Sequence, residues 1–259
     1  MIKKTTIFLV SGLFLLVSTG NVFAHFGMLI PSDSMVMQGD NKTVTLTLSF
    51  SHPFEGHGME LVKPKVFNVL TNGKKKDLIG KLKRIQVMGH AAWTTDYTIK
   101  RPGVYAFHME PKPYWEPSED CYIIHYTKTI IAAFGGEEGW DEPIGLKTEI
   151  VPLTRPFGLY AGNVFQGIVM LNGKPAPYAE VEVEYYNKDG KAKAPTDYMV
   201  TQVIKADTNG VFSYATPEAG WWGFAALITS DRKMKYRGED KDVELGAVLW
   251  VEFQEWEKK

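Results

Sequence analysis

The stretch Thr43-Val44-Thr45-Leu46-Thr47-Leu48-Ser49-Phe50 decides the fold class, because polar and apolar residues alternate along it. Such alternation puts the apolar side chains on one face of a strand and the polar ones on the other, as in a half-buried β-strand. Similar short segments, bounded by turns rich in glycine, proline and asparagine, recur along the chain. The sequence therefore predicts an all-β protein.

The next ten residues, Ser51-His52-Pro53-Phe54-Glu55-Gly56-His57-Gly58-Met59-Glu60, hold two of the six histidines, two carboxylates and a thioether. Their proline and two of their glycines predict a tight, irregular loop at the end of the strand. A loop on a rigid sheet can aim several donors at one point, and neutral imidazole is the commonest metal ligand in proteins. The same residues also fit a polar loop in solvent, so both interpretations stay open at this point.

The first 24 residues have the pattern of a secretory signal peptide. Two lysines precede a short apolar core at residues 7–17, and Val22-Phe23-Ala24 fits a signal-peptidase site. We expect cleavage after Ala24, export to the periplasm and a mature chain that begins at His25. No later stretch is long enough for a membrane span, so the mature chain is expected not to cross the membrane.

Composition excludes several classes of function. The formal net charge of −1 does not suit a nucleic-acid partner, which calls for a basic face. Cys121 is the single cysteine, so no intrachain disulfide can form. The chain contains no nucleophile motif, phosphate loop or dinucleotide fingerprint, and we do not expect an enzyme.

A histidine at the mature N-terminus offers two nitrogens to a metal, the α-amine and the ring. The α-amine has a reference pKa of about 7.7–8.0, low enough for a metal to displace its proton near neutrality. The third mature residue is Gly27, so the chain lacks the amino-terminal copper/nickel motif that has histidine third. The residue that follows any signal peptide is otherwise arbitrary and frayed, which remains the alternative for His25.

The other histidines have different surroundings. His125 lies within a predicted strand at residues 121–131 and shares a face with Ile123 and Thr127. A buried histidine there needs a partner, either a carbonyl group or a metal, and spacing alone does not choose between them. His90 is expected in a loop, and His108 in the middle of a strand with a core or cross-strand role.

The strand pattern predicts two consecutive β-sandwich domains, at residues 25–156 and 157–259. The second contains no histidine or cysteine and is expected to be a scaffold or docking module. Strands are predicted at residues 43–50, 66–70, 75–82, 85–87, 93–99, 104–109, 121–131, 146–153, 165–171, 179–186, 199–206, 211–214, 221–228 and 244–253.

Two resemblances follow from motifs along the chain. The second half resembles carboxypeptidase-regulatory-like (transthyretin-like) sandwich domains, on the stretches Gly167-Ile168-Val169, Asn172-Gly173-Lys174-Pro175, Ala206-Asp207-Thr208-Asn209-Gly210 and Gly220-Trp221-Trp222. The whole mature chain resembles the NikM/NikK-like family of exported proteins, on the stretches His25-Phe26-Gly27-Met28, His52-Pro53-Phe54-Glu55-Gly56-His57, Pro113-Tyr114-Trp115-Glu116-Pro117, His125-Tyr126-Thr127-Lys128 and the run of residues 145–156. That family accompanies nickel and cobalt uptake. The resemblance implies capture of a divalent metal outside the inner membrane and its transfer to a membrane transporter.

We therefore expect Ni²⁺ or Co²⁺ as bound cargo and a membrane metal-uptake transporter as partner, although imidazole suits Cu²⁺ and Zn²⁺ as well. The expected ligands are His25, His52, His57 and His125. Accessory candidates are Glu55, Met59, Glu60 and Glu116. One alternative is a copper-binding protein with an N-terminal histidine chelate. Another is a metal-free adhesion or glycan-binding sandwich, with Trp115, Trp221 and Trp222 as sugar platforms.

Overall fold

The computed structural model describes residues 24–257, and the expectation of an all-β chain is confirmed. Two short 3₁₀ helices, at Ile79–Lys81 and Asp197–Met199, interrupt the strands. Residues 1–23 of the expected signal peptide lie outside the described residues. Within residues 24–257, no helix has the length and apolar character needed to cross a bilayer.

The strands are numbered in chain order. They are β1 (Phe26–Pro31), β2 (Met35–Val36), β3 (Thr43–His52), β4 (His57–Met59), β5 (Val66–Thr71), β6 (Lys74–Asp77), β7 (Lys83–Val87), β8 (His90–Thr98), β9 (Gly103–Glu110), β10 (Tyr114–Glu116), β11 (Cys121–Ala133), β12 (Thr148–Pro152), β13 (Leu159–Tyr160), β14 (Val164–Leu171), β15 (Lys174–Pro175), β16 (Glu180–Tyr185), β17 (Gln202–Lys205), β18 (Val211–Ala215), β19 (Gly220–Thr229), β20 (Met234–Tyr236) and β21 (Glu239–Gln254).

Strand β3 is central to the first of three sheets, whose order is β1-β3-β8-β7 with β4 added to β3. The alternation of its sequence has the expected effect, since Val44, Leu46 and Leu48 are fully buried. They pack with Phe67 and Phe107 of the facing sheet in the main core of the N-terminal half. Full burial of one such side chain stabilises the fold by about 1.5–3 kcal/mol.

A second sheet of twelve strands runs through both halves of the chain, and eight of them follow the order β17-β16-β19-β21-β11-β9-β5-β6. The other four pair with its middle strands, β2 and β10 with β11, and β13 and β20 with β21. Its middle is the parallel pairing of β11 with β21, along nine residue pairs from Cys121↔Asp242 to Thr129↔Trp250. In the third sheet, β12 pairs with β14. Two sheets therefore combine strands from either side of residue 156, where we expected a domain boundary, and that boundary stays a prediction.

Strand β1 lies against the shared sheet and fixes the position of His25. Phe26 and Met28 pack with Ala225, Val248 and Trp250 of the C-terminal half. The indole of Trp250 also donates a hydrogen bond of 2.8 Å to the carbonyl of Gly27. The segment that follows His25 is therefore held by both halves.

Some local predictions were wrong. A tight turn follows β3 at residues 53–56 as predicted, but His57–Met59 form strand β4 and do not belong to the loop. His90 begins strand β8 and is not in a loop. The strand predicted at residues 75–82 ends at Asp77 and is followed by a 3₁₀ helix. The strand predicted at residues 199–206 begins only at Gln202, because Met199 still belongs to a 3₁₀ helix. In each case tertiary packing overrides a local pattern.

Candidate functional site: a histidine row at the edge of the first sheet

Strand register aligns three of the predicted site histidines. Phe26 is paired with Ser51 in the β1·β3 ladder, so His25 comes next opposite His52. His52 is in turn paired with His57 across the short β3·β4 hairpin. Directly opposed residues of antiparallel strands project from the same face. The rings of His25 and His52 are 4.8 Å apart between centroids, and both side chains are buried, whereas His57 is exposed.

Glu116 determines which nitrogen of His25 carries the proton. Its Oε2 lies 3.0 Å from His25 Nε2, and its Oε1 accepts bonds from the Ser118 amide at 2.9 Å and hydroxyl at 2.5 Å. Burial alone would raise the pKa of Glu116, but the bonds from Ser118 and the neighbouring His25 lower it overall. Glu116 is thus an ionised acceptor, so Nε2 of His25 is the donor. In the neutral ring the lone pair lies on Nδ1.

A second carboxylate faces that lone pair. Glu119 Oε1 lies 3.6 Å from His25 Nδ1. Two donors that each lie about 2.1 Å from one ion are separated by roughly 3.0–4.2 Å, depending on the angle between them. Burial, followed by the charge of His125, lowers the pKa of His25, which favours the neutral ring that a metal requires.

His52 is held by the residue just before His25. Its Nδ1 lies 3.0 Å from the carbonyl oxygen of Ala24, which can only accept, so Nδ1 is the donor and the lone pair of the neutral ring is on Nε2. Burial, and then the neighbouring His25, lowers the pKa of His52 to about 4. His52 is therefore neutral over the physiological pH range.

His125 occupies a slot between two glycines. A Cβ at Gly246, its partner in the β11·β21 ladder, would overlap the ring, and a Cβ at Gly27 would overlap the neighbouring Thr127. The Gly27 amide donates to His125 Nδ1 at 3.2 Å, so Nε2 carries the proton and faces Glu244 Oε1 at 3.4 Å. As placed, His125 has both nitrogens engaged, and it would have to give up the Gly27 bond to ligate a metal.

Residues of the C-terminal half hold the loop between His52 and His57. The Asn187 side chain donates to the carbonyl of Phe54 at 3.0 Å, and its amide donates to that of Pro53 at 3.2 Å. The Phe54 amide lies 3.4 Å from a carboxyl oxygen of Glu184. Burial raises the pKa of Glu184 to about 8, so this group is mainly protonated at pH 7 and adds no charge to the loop.

The accessory candidates behave differently from one another. Glu116 joins the site, whereas Glu60 points to His90, with 3.3 Å between Glu60 Oε1 and His90 Nδ1. Met59 packs against the core of the N-terminal half. Glu55 stays near His57, and burial raises its pKa.

Two carboxylates of the site, those of Glu119 and Glu244, were missed in the sequence. Glu119 belongs to the same proline-rich acidic loop as Glu116, which was a usable signal. No local pattern identifies Glu244, because it reaches His125 only through the long-range pairing of β11 with β21.

The proposed sugar platforms are largely covered. The Trp115 ring stacks on Tyr236 with 3.8 Å between centroids, and Trp222 is buried in the core of the C-terminal half. Trp221 packs beside Trp250. A sugar would need an open aromatic face, which these contacts restrict.

As described, the site is not an assembled coordination sphere. Within residues 24–257, no group of three or more histidine, cysteine, aspartate or glutamate residues is arranged so that it could hold a metal ion. The histidines instead form pairs with carboxylates: His25 with Glu116 and Glu119, and His125 with Glu244.

Comparison with solved structures gives only weak similarities. The Yersinia pseudotuberculosis adhesin InvE is 11% identical with a TM-score of 0.24, and the match covers 85% of this chain and 58% of the adhesin. Escherichia coli alpha-2-macroglobulin is 8% identical with a TM-score of 0.24, over 88% and 14% of the two chains. The fibronectin(III)-like modules of Clostridium thermocellum CbhA are 9% identical with a TM-score of 0.22, over 90% and 100%. Scores this low support no argument about function.

Comparison with sequences is more decisive about family. No curated protein matches the chain. The family model described as a domain of unknown function, DUF4198, matches residues 22–230, which is well over half of the chain. The matched segment contains His25, His52 and His57, which form the histidine row, together with Glu116, Glu119 and His125. This chain belongs to the DUF4198 family.

Proposed function

We propose that the chain, once residues 1–24 are removed in the periplasm, binds one divalent transition-metal ion as cargo and passes it to a membrane transporter. The observation that carries this proposal is the alignment of His25, His52 and His57 across three strands, with 4.8 Å between the first two rings. Carboxylates flank the row at Glu116 and Glu119.

Cleavage after Ala24 would change two donors of the proposed site at once. The carbonyl of Ala24 holds His52 Nδ1 at 3.0 Å, and its carbon is bonded to the backbone nitrogen of His25. Within a peptide unit the oxygen and the next nitrogen are about 2.2 Å apart. The new α-amine would therefore lie within about 5 Å of His52 Nδ1. Removal of Ala24 both creates the amine donor and releases His52 from its carbonyl partner.

The resulting donor set is rich in nitrogen. The α-amine and Nδ1 of His25 can chelate one ion, and His52 can add a second imidazole. His57 and the Glu119 carboxylate stand next to them. Glu116 would orient the His25 ring through its other nitrogen, as carboxylates commonly do behind metal-bound histidines. His125 is a further predicted ligand, and its present contacts also suit a role in holding Glu244.

Nickel or cobalt is the proposed cargo because of the resemblance to proteins of nickel and cobalt uptake. Raw affinity of such nitrogen sites is highest for Cu²⁺, so the donor set alone would not exclude copper. A chelate made by the amine and ring of one histidine favours copper binding as the second candidate function. Metal supply or site geometry would have to provide selectivity for nickel.

The decisive experiment compares two versions of the protein that differ by one residue at the N-terminus. One begins at His25 and the other at Ala24, and each is titrated calorimetrically with Ni²⁺, Co²⁺, Cu²⁺ and Zn²⁺. We expect the first to bind one ion, and the second to bind it at least about 100-fold more weakly because the amine is separated from the ring. Equal affinities would reject the N-terminal chelate.

Processing needs its own check. Mass analysis of the exported protein should give a chain that begins at His25. A chain that begins elsewhere would remove the α-amine from the donor set. Loss of metal on lowering the pH from 7 to 5 would support ligation by the α-amine, because protons compete for that nitrogen while the His52 ring, with a pKa of about 4, stays neutral.

A further inference from the structure

At the opposite side of the N-terminal half lies a basic cavity that the proposed metal function does not use. Residues 61–112 contain eleven lysine and arginine residues and three acidic ones, a net charge of +8 (11 − 3), although the whole chain has a net charge of −1. Part of this charge surrounds a cavity of about 270 Å³. Its lining consists of Thr71, Asn72, Lys74, Lys76, Tyr97, Thr98, Lys100, Arg101 and Tyr105, and none of these is a histidine or an acid.

The cavity lies where the two sheets of the sandwich open. Lys74 and Lys76 are alternate residues of edge strand β6, so their side chains share one face, and Lys75 between them points to the other. Tyr97 belongs to β8 of the facing sheet. Lys76 Nζ lies 5.4 Å above the centre of the Tyr97 ring, so side chains of both sheets line the cavity. The other two cations, Lys100 and Arg101, come from the turn between β8 and β9.

The turns that carry these cations are held by the fold. The Tyr105 hydroxyl donates to the carbonyl of Arg101 at 2.8 Å and so holds the turn. Tyr97 packs edge-on against Tyr105, with 6.0 Å between ring centroids. Asn72 and Gly73 have positive φ values of 48° and 68°, which is the tight hairpin turn that returns the chain to Lys74.

Two observations indicate that the cavity suits an anion. Within residues 24–257, the four cations of the cavity form no ion pair, whereas the nearby Lys65 pairs with Glu110 at 3.5 Å. In addition, the buried Oγ1 of Thr71 has no hydrogen-bond partner among the described residues. Buried polar atoms are normally satisfied, and an anion bound beside the cations of this cavity would give Thr71 Oγ1 an acceptor.

We infer that this cavity binds a phosphate-type anion. Lysines supply strong point charges for phosphate oxygens, arginine adds a planar fork, and the threonine and asparagine side chains add neutral donors. The same chemistry fits free phosphate and the phosphate of an anionic lipid headgroup. The lining shares no residue with the histidine row, so the anion site stands or falls independently of the proposed metal function.

The competing explanation is that lysines on an edge strand only prevent edge-to-edge association. A pair of matched double variants separates the two explanations. Lys74→Glu/Lys100→Glu reverses two charges in the cavity, and Lys81→Glu/Lys83→Glu reverses two exposed charges of the same basic segment outside it. Both change the net charge equally, and circular dichroism and thermal unfolding confirm that each variant is folded.

The probe is inorganic phosphate, titrated by NMR at low ionic strength against the unmodified protein and both variants. We expect shifts of the cavity residues in the unmodified protein and in the outer variant, and a loss of affinity of more than tenfold in the cavity variant, as removal of charged hydrogen-bond donors produces. An equal loss in both variants would show a general charge effect and overturn the site.

A second arm identifies the source of the anion. The same proteins are sedimented with vesicles of phosphatidylglycerol and phosphatidylcholine, and with vesicles of phosphatidylcholine alone. If the unmodified protein and the outer variant bind the anionic vesicles and the cavity variant does not, the anion is a lipid headgroup. If phosphate shifts the NMR signals but no protein binds the vesicles, the anion is free phosphate. The absence of both responses in the unmodified protein overturns the inference.

Discussion

Two regions of the N-terminal half bury a histidine equally well and differ in what surrounds it. His125 and His108 are both about 1% exposed, on neighbouring strands β11 and β9. His125 has a partner for each nitrogen and belongs to a cluster with carboxylates. His108 has a buried Nδ1 without a hydrogen-bond partner among the described residues. Burial alone therefore does not make a candidate metal site; a site needs several donors that face one point.

The charges near His108 also differ from those near His25, which lies in the same histidine and carboxylate cluster as His125. Burial, followed by the charge of Lys75, lowers the pKa of His108 to about 4; Lys128 also lowers it and Glu149 raises it. The Lys128 ammonium and the Glu149 carboxylate, 3.0 Å apart and both buried, form an ion pair of their own. Around His25 the neighbouring carboxylates instead face the imidazole. The region around His108 therefore holds its charges in a closed pair, whereas the carboxylates around His25 lie next to a histidine ring.

The largest expected effect comes from breaking the buried ion pair with Lys128→Met. Glu149 would keep its bonds from the amides of Ile144 and Gly145 but lose its counter-charge. Loss of one partner of a buried pair typically costs about 3–5 kcal/mol, so the free energy of unfolding should fall by about that amount. Chemical denaturation measures it.

The matched control is Lys65→Met, which breaks the exposed pair with Glu110. Exposed pairs contribute about 0–1 kcal/mol, so this variant should unfold almost like the unmodified protein. If both variants lost the same stability, the region around His108 would not have the structural role given to it. Metal affinity of the folded Lys128→Met protein should stay unchanged.

The contrast between the regions was only partly visible in the sequence. The alternation of Thr43–Phe50 predicted β3 and its buried face correctly, because period-two patterns report burial directly. The placement of Ile123 and His125 on one face of β11 followed from the same rule. The parallel pairing of β11 with β21 could not be predicted, because it joins residues more than a hundred positions apart, and it is this pairing that brings Glu244 to His125. Glu116 could be predicted as an accessory candidate because it lies in a proline-rich, acidic segment. The partners of His90 and His108 could not be predicted, because they depend on tertiary packing.

The next largest effect concerns metal affinity. His52→Ala removes an imidazole that lies 4.8 Å from the His25 ring, and it should weaken binding of the cargo metal more than 100-fold, since loss of a direct ligand exceeds the 10–100-fold typical of outer partners. Titration calorimetry on the chain that begins at His25 measures this loss.

His90→Ala and His108→Ala are the controls on the other side of the comparison. Both remove an imidazole but leave the row intact, so affinity should remain within a few-fold of the unmodified protein. Loss of binding in these two variants, with His52→Ala unaffected, would move the site to the other region.

A smaller effect is expected in the acid stability of the region around His108. Its folded pKa of about 4 lies below the ordinary value of 6.5. The unfolded chain therefore takes up a proton first as the pH falls, and stability is lost between about pH 6.5 and 4. Between pH 7.5 and 5 this amounts to about 2 kcal/mol. His108→Asn should remove that part of the pH dependence, which denaturant unfolding at the two pH values measures. A variant that keeps the full loss on acidification would contradict it.

The smallest effect tests the carboxylate that orients His25. Glu116→Gln keeps an oxygen that can accept from His25 Nε2 but removes the negative charge and weakens the bonds from Ser118. Metal affinity should fall about tenfold, at the low end of the range for outer partners. Glu110→Gln, a surface change outside the row, is the control and should bind normally. If Glu116 only shaped the local loop, thermal stability would fall while affinity stayed the same.

If Glu116 oriented His25, metal affinity would fall with little change in stability. Combining Glu116→Gln with Glu119→Gln, which alters the group that faces His25 Nδ1 at 3.6 Å, would then reduce affinity below that of Glu116→Gln alone. A larger loss from Glu116→Gln than from His52→Ala would mean that Glu116 is itself a ligand and that the row is not the centre of the site.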